Sequence, residues 1–111
     1  MPFRPTSVTI YPAVQEKFDR IERLAADGRQ PTGAIWKGLR TAVSRVKIDG
    51  QWGEVVPRGS IPRIYSRTIG VTNLYGVDLP AFHRLFYTIR NRDVVLIELV
   101  DHSEYDRLMP G

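Results

Sequence analysis

The stretch Asn73 to Leu108, NLYGVDLPAFHRLFYTIRNRDVVLIELVDHSEYDRL, decides the fold of this chain. Within it, Phe82–Ile89 and Val94–Val100 are dense in β-branched and aromatic side chains, which suit a pleated and buried surface. The intervening residues Asn91 to Asp93 favour a turn, because Asn and Asp tolerate left-handed backbone. The two runs are therefore predicted to form an antiparallel hairpin in the middle of a sheet. The rest of the chain must then cover that sheet.

Upstream of this hairpin, the pattern predicts one strand and two amphipathic helices. Ser7–Tyr11 alternates weakly and is predicted to be a strand that pairs with the hairpin. Apolar residues recur every three or four positions in Ala13–Asp27 and again in Gly33–Lys47, which is the period of a helix. Gly28 suits the left-handed residue that ends the first helix, and Thr32 is a candidate N-cap of the second. The short connection predicts an antiparallel helix pair.

Glycine and proline interrupt the segment that follows the second helix. Short strands are predicted at Trp52–Val56 and Ile64–Ile69, another strand at Leu74–Asp78, and a turn or bulge at Leu79-Pro80. The order of elements is thus a strand, two helices, and three or four further strands. With 111 residues, the chain is predicted to form a single α+β domain, residues 1–111, whose helix hairpin packs on a curled antiparallel sheet.

The composition argues against several classes of protein. The chain has no cysteine and only two histidines, so disulfides and thiolate metal sites are excluded, and neither a metal nor a cofactor is expected. No apolar run approaches the roughly 20 residues of a membrane-spanning helix. The first residues lack an apolar core of signal-peptide length. We therefore expect a cytoplasmic protein that does not contact a membrane.

Positive charge is concentrated in the middle of the chain. Residues 28–70 carry eight basic and two acidic side chains, whereas the whole chain has a net charge of +4. A basic segment of this kind favours a polyanionic partner through an attraction that salt weakens. A solvated helix face is the alternative interpretation. The residues considered for RNA binding are Arg63, Arg67, Arg40, Lys37 and Arg45.

The final third also resembles a known family. His83–Ile89 (HRLFYTI), followed by Ile97–Tyr105 (IELVDHSEY), is similar to the closing strands of the RelE/ParE toxin superfamily, in a subgroup that ends in a His-x-x-Tyr motif. The resemblance implies the toxin of a type II toxin–antitoxin pair, which cleaves messenger RNA on the ribosome and is neutralised by a cognate antitoxin. It also implies that Arg84 binds phosphate, that Tyr105 is the C-terminal tyrosine, and that His102 replaces a basic residue.

The same three residues have the chemistry for metal-free cleavage of RNA. This reaction needs a base for the 2′-hydroxyl, an acid for the leaving 5′-oxygen, and positive charge near the phosphorane. Histidine ordinarily titrates near neutrality, so His102 could act as base or acid. Arg84 could hold a phosphate through two hydrogen bonds, and Tyr105 could donate a proton or stack on a base. The other histidine, His83, is expected to be structural or on the surface.

Structural roles are the alternative for these residues. His102 would then cap or pair at a strand end, and Tyr105 would close the rim of the core. Arg84 would form a surface salt bridge to Glu98 or Asp78, since sheets commonly place opposite charges on adjacent strands.

A second hypothesis is a non-catalytic binding module on the same fold. Ribosome-dependent members of the superfamily often carry two lysines on the strand before Arg84, and here Leu74–Asp78 has none. One register of the hairpin pairs Ile89 with Val94. Arg84 then falls opposite Leu99, on a mostly apolar face that suits a partner such as gyrase, nucleic acid or a protein. A degenerate toxin that binds only its antitoxin is a third hypothesis.

Overall fold

The computed structural model describes residues 3–108. Two single-turn 3₁₀ helices, at Arg58–Ser60 and Pro80–Phe82, lie between its main elements. In chain order the main elements are β1 (Ser7–Ile10), α1 (Pro12–Ala26), α2 (Thr32–Ile48), β2 (Glu54–Val55), α3 (Arg63–Thr68), β3 (Tyr75–Leu79), β4 (His83–Arg90), β5 (Asp93–Val100) and α4 (His102–Leu108).

The five strands form one mixed sheet in the order β1-β5-β4-β3-β2. β4 and β5 pair antiparallel around their turn, as predicted, and β1 pairs with β5 in parallel. The predicted α+β class and the pairing of the first strand with the hairpin are therefore confirmed. The prediction of an antiparallel sheet holds only for β2 to β5.

The register of β4 and β5 shifts once along the hairpin. Near the turn the strands pair in the register considered above, but Arg84 lies opposite Val100 and not opposite Leu99. The shift is a bulge in β5 at Ile97, which has no partner in β4. A bulge re-aims the side chains that follow it. As a result Leu96 and Leu99, three positions apart, both belong to the same hydrophobic cluster.

Two hydrophobic clusters occupy the two faces of the sheet. The first joins apolar side chains of α1 and α2 to Leu85 and Tyr87 of β4. The second joins Phe86 of β4 to α3 residues and to Tyr105 of α4. Because successive side chains of a strand point to opposite faces, the alternation along β4 separates the clusters.

The ends of α1 and α2 test two sequence predictions. Gly28 has φ +76°, and the amides of Gly28 and Arg29 donate to the carbonyls of Ala25 and Leu24 at 3.0 and 3.4 Å, which is a Schellman motif. The prediction for Gly28 is confirmed. Thr32 is not an N-cap, because Pro31 holds that position and no side chain caps the helix.

The segment around α3 shows where the sequence interpretation was wrong. Residues 64–69 were expected to form a strand, but Arg63–Thr68 is a helix. Ile61, Tyr65 and Ile69 are four positions apart and all join the second cluster, so the apolar side chains of this segment follow the period of a helix and not of a strand. Of the strand predicted at residues 52–56, only Glu54–Val55 forms.

Candidate functional site

The helix α4 carries two of the predicted site residues, and it begins with a capping box. The amide of Glu104 donates to Asp101 Oδ1 at 2.9 Å, and the amide of Asp101 donates to Glu104 Oε1 at 3.2 Å. The bond from the Glu104 amide is the largest cause that holds the pKa of the Asp101 carboxyl below its ordinary value of 3.8. His102 and Tyr105 therefore lie on a helix, and not at a bare strand end. An Asp-x-x-Glu pattern after an apolar strand is the signal that would have located it.

Tyr105 faces the sheet from the last helix. Its ring is stacked on that of Phe86, with centroids 6.2 Å apart and planes 9° from parallel. The side chain is half-buried and packs against the second cluster. Tyr105 therefore closes the rim of the core, which is one of the two roles considered from sequence, while it remains beside Arg84.

Arg84 lies between aromatic rings and carboxylates. Its Cζ atom is 5.6 Å from the ring centroid of Tyr105 and 5.7 Å from that of Phe86. Its Nη1 donates to Asp78, and its Nη2 lies 3.6 Å from Glu54 Oε2. The Arg84 side chain is only 15% exposed, whereas those of Asp78 and Glu54 are 78% and 75% exposed. The arginine is thus held on the sheet while its anionic partners face solvent.

A glycine makes room for this arginine. A Cβ atom on Gly76 would lie 2.5 Å from Nε and Nη2 of Arg84, so no other residue fits there without moving the guanidinium. Arg84 Nε is buried and has no hydrogen-bond partner among the described residues. The salt bridge predicted to Asp78 is present, but Glu98 pairs with Lys17 instead, at 3.2 Å.

A pocket of about 510 Å³ brings the predicted catalytic residues together. Arg84, His102 and Tyr105 all line it. It also contains residues that the sequence analysis did not select, among them a second histidine, and its remaining lining residues are Asp78, Leu79, Ala81, Phe82 and His83. The pocket therefore combines one guanidinium, two imidazoles and a phenol.

The two imidazoles in the pocket are held differently. His83 Nδ1 lies 2.9 Å from the carbonyl oxygen of Ala81, an arrangement in which Nδ1–H donates and Nε2 is left as an acceptor. His102 is largely exposed, and its Nε2 lies 3.3 Å from Asp106 Oδ2, one helical turn further on. His102 therefore has a carboxylate neighbour on its own helix, whereas the Nδ1 of His83 is directed at a backbone carbonyl.

The basic residues considered for RNA binding lie outside this pocket. Lys37, Arg40 and Arg45 line a separate depression of about 380 Å³ on the outer side of α2. Arg63 and Arg67 are exposed on α3. The concentration of charge in the middle of the sequence therefore does not become one continuous site with Arg84.

The structure is thus an α+β fold with a pocket built from β3, β4, α4 and the turn between β3 and β4, and this pocket contains the ion pair of Arg84 and Asp78. Comparison of the chain with protein-family models, with curated proteins and with solved structures found no match. Within residues 3–108, no helix combines the length and the hydropathy that a bilayer crossing requires. The same residues contain no group of three or more acidic or histidine side chains placed to hold a metal ion.

Proposed function

We propose that this protein is a RelE-like toxin that cleaves messenger RNA on the ribosome without a metal ion. The observation that carries the proposal is that the three predicted catalytic residues, Arg84, His102 and Tyr105, line one pocket. The proposal includes the finer RelE-like arrangement of the helix pair on the sheet, a cytoplasmic location, and a cognate antitoxin as partner.

Arg84 is suited to bind the scissile phosphate. Its present partners, Asp78 and Glu54, are largely exposed, and ion pairs of this kind contribute only about 0–1 kcal/mol. A phosphate can therefore replace the carboxylates at little cost. The rings of Tyr105 and Phe86 keep the guanidinium in place, and its Nη atoms, which contact the exposed carboxylates, are the donors for a phosphate oxygen.

The two histidines can supply the acid and the base. His83, with Nε2 free to accept, takes the proton of the 2′-hydroxyl, which attacks the phosphorus. His102, which is paired with Asp106, gives a proton in its imidazolium form to the leaving 5′-oxygen. The products are a 2′,3′-cyclic phosphate and a 5′-hydroxyl. Two imidazoles perform the proton transfers, so the absence of lysines on residues 74–78 does not remove the reaction.

The exposed basic residues of α2 and α3 support binding of a long RNA. Lys37, Arg40 and Arg45 lie on α2 on one side of the sheet, and Arg63 and Arg67 lie on α3 on the other side, so positive charge is present at two places outside the pocket. Such charge raises the rate of association and makes affinity salt-dependent.

The test is incubation of the purified protein in a translating extract, with primer-extension mapping of the messenger. Wild-type protein is expected to produce new ends that depend on translation, and Arg84→Ala is expected to abolish them. Arg23→Ala, which removes an exposed arginine from α1, is the matched control and should leave the ends unchanged. Absence of new ends with folded wild-type protein, or equal cleavage by Arg84→Ala, would refute the proposal.

A non-catalytic binding module is the second candidate. The observation that favours it is that Arg84 is mostly buried, paired with carboxylates and surrounded by apolar side chains. The partner would be gyrase, nucleic acid or a protein, including an antitoxin bound by a degenerate toxin. Binding of a partner that survives His83→Ala and His102→Ala, without any cleavage by wild-type protein, would establish this alternative.

A further inference from the structure

Phe82 is the most exposed of the large apolar side chains in the described residues. It is 80% exposed, and the next most exposed are Val55 at 64% and Ile64 at 56%. Phe82 lies in the short turn Pro80–Phe82 between β3 and β4, and it lines the candidate site. Single exposed apolar side chains are common on protein surfaces, so the exposure of Phe82 is informative only together with its backbone and its neighbours.

The backbone that presents Phe82 is unusual. Ala81 and Phe82 have φ angles of +58° and +60°, and two consecutive residues with side chains in the left-handed region are strained. Strain of this kind persists where the surrounding structure enforces it, and it is concentrated at functional sites. An asparagine or glycine would adopt the turn with less strain, yet the chain places an aromatic residue there.

The turn is nevertheless held firmly. Pro80 packs so closely on α2 that a Cβ atom on Gly38 would lie 2.8 Å from Pro80 Cδ. The amide of His83 donates to the carbonyl of Pro80, and the His83 ring contacts the carbonyl of Ala81 at 2.9 Å. Phe82 therefore projects from a turn that is fixed on both sides, and its ring faces solvent from a defined position.

The surroundings of the ring match the parts of a nucleotide. The Phe82 and His102 rings are 5.7 Å apart at 52°, and both line the pocket that contains Arg84. Aromatic faces bind unpaired bases by stacking, whereas an arginine nearby binds the phosphate. Phe82 and Arg84 are two positions apart in the sequence and line the same pocket, so an aromatic face and a guanidinium are both available to one ligand there.

We propose that Phe82 is a stacking platform for one unpaired base of a single-stranded RNA whose phosphate lies on Arg84. The inference rests on the proposed function for the choice of RNA, and it names the form of RNA that the site accepts. A duplex is excluded from this platform because its bases are already stacked on each other. The site would therefore bind an unpaired nucleotide through the face of its base, and the hydrogen-bonding groups at the edge of the base would not be read.

The test is equilibrium binding to a fluorescein-labelled, single-stranded 2′-O-methyl RNA of about ten nucleotides, followed by anisotropy. The methyl group blocks the attacking oxygen, so binding is measured without cleavage. Phe82→Ala is expected to weaken binding about 5- to 100-fold, the usual effect of losing one stacked base. Phe82→Tyr should retain affinity, and Ile64→Ala, which removes another exposed apolar side chain, should bind as tightly as the wild type.

A second arm pairs the protein change with a change in the RNA. Replacing the stacked nucleotide by an abasic one should weaken wild-type binding by a similar factor and should not weaken Phe82→Ala further. A duplex made by annealing the same RNA to its complement should bind less tightly. Its affinity should be the same for the wild type and for Phe82→Ala. Unchanged affinity of Phe82→Ala, an abasic effect of equal size in both proteins, or no RNA binding by the wild type would overturn the inference.

The outcome can be separated from that of the proposed function. Wild-type cleavage that Phe82→Ala retains in full, with equal affinity, would refute the platform and leave the nuclease. RNA binding that depends on Phe82, in a protein that never cleaves, would retain the platform and refute the nuclease. Loss of binding to a protein partner alone, with RNA affinity unchanged, would assign Phe82 to a protein interface and overturn the inference.

Discussion

Gly76→Ala tests the construction of the arginine site through a residue that touches no ligand. The new methyl group would lie 2.5 Å from two guanidinium nitrogens of Arg84 and 2.8 Å from Cζ, so the guanidinium must move. The guanidinium is the far end of a flexible side chain, and the backbone at Gly76 has no positive φ. We therefore expect the fold to survive and the arginine to leave its place between the rings.

The magnitude follows from what Arg84 loses. Two cation–π contacts at a partly exposed site contribute about 1–2 kcal/mol together. The ion pairs to exposed carboxylates contribute about 0–1 kcal/mol. The change from glycine to alanine itself adds about 0.4–1 kcal/mol to the free energy of unfolding, because alanine restricts the unfolded chain more than glycine does. The net effect is a loss of about 1 kcal/mol in the free energy of unfolding, while cleavage or RNA binding falls as far as in Arg84→Ala.

The assay is urea denaturation of the single and double variants, with RNA binding measured on the same samples. In the Arg84→Ala background there is no guanidinium to displace, so Gly76→Ala should become stabilising by about 0.4–1 kcal/mol. Gly59→Ala is the matched control, because a Cβ atom there meets nothing within 4 Å. The same destabilisation in both backgrounds, or a loss of more than about 3 kcal/mol in the wild type, would refute the reasoning.

Three further outcomes are expected. Tyr87→Phe should destabilise the protein by about 1–3 kcal/mol in urea denaturation, because the Tyr87 hydroxyl donates to the carbonyl of Gly50 and accepts from the Gly53 amide. Tyr65→Phe removes a buried hydroxyl that has no hydrogen-bond partner among residues 3–108, so it should be neutral or stabilising. Because the pKa of Asp101 is lowered on folding, its contribution is present above the ordinary value of 3.8 and is lost as the pH falls through the folded value. As the pH is lowered, the helical circular dichroism of Asp101→Asn should therefore decrease less than that of the wild type. An equal decrease in both proteins would contradict this. Ala81→Gly should raise the melting temperature. It relieves about 1–2 kcal/mol of left-handed backbone strain, whereas the greater freedom of glycine in the unfolded chain costs about 0.5–1 kcal/mol. A lower melting temperature would contradict this.

The sequence predicts the elements whose apolar residues recur with a clear period. It does not predict the features that depend on how the strands pair or that lie in an interrupted segment. The helices α1 and α2 and the β4–β5 hairpin follow from spacing and composition. The bulge at Ile97 does not, because an extra residue leaves the composition of the strand unchanged. The helix α3 was missed because its apolar residues are spaced by four in a segment that prolines and glycines interrupt.

The candidate site was predicted in part. Residue chemistry and the resemblance selected Arg84, His102 and Tyr105, and these three line one pocket. His83 and Phe82 were not selected, because their importance depends on a turn whose left-handed backbone leaves no mark in residue type. A phenylalanine at such a position contradicts ordinary turn preferences, so no sequence rule would place it there.

The pairing of β1 with β5 has a consequence for synthesis. Ser7 and Asp93 are bonded across 86 positions of sequence, and contacts of such long range slow folding. A ribosome adds about 5–20 residues per second, so β5 is made several seconds after β1 and both long helices. Until then β1 cannot pair with it. The pocket is completed later still, because α4 is made after β5. A nascent chain that lacks α4 has no complete pocket, because His102 and Tyr105 lie on that helix. Whatever the pocket binds can be bound only after the last helix has been made.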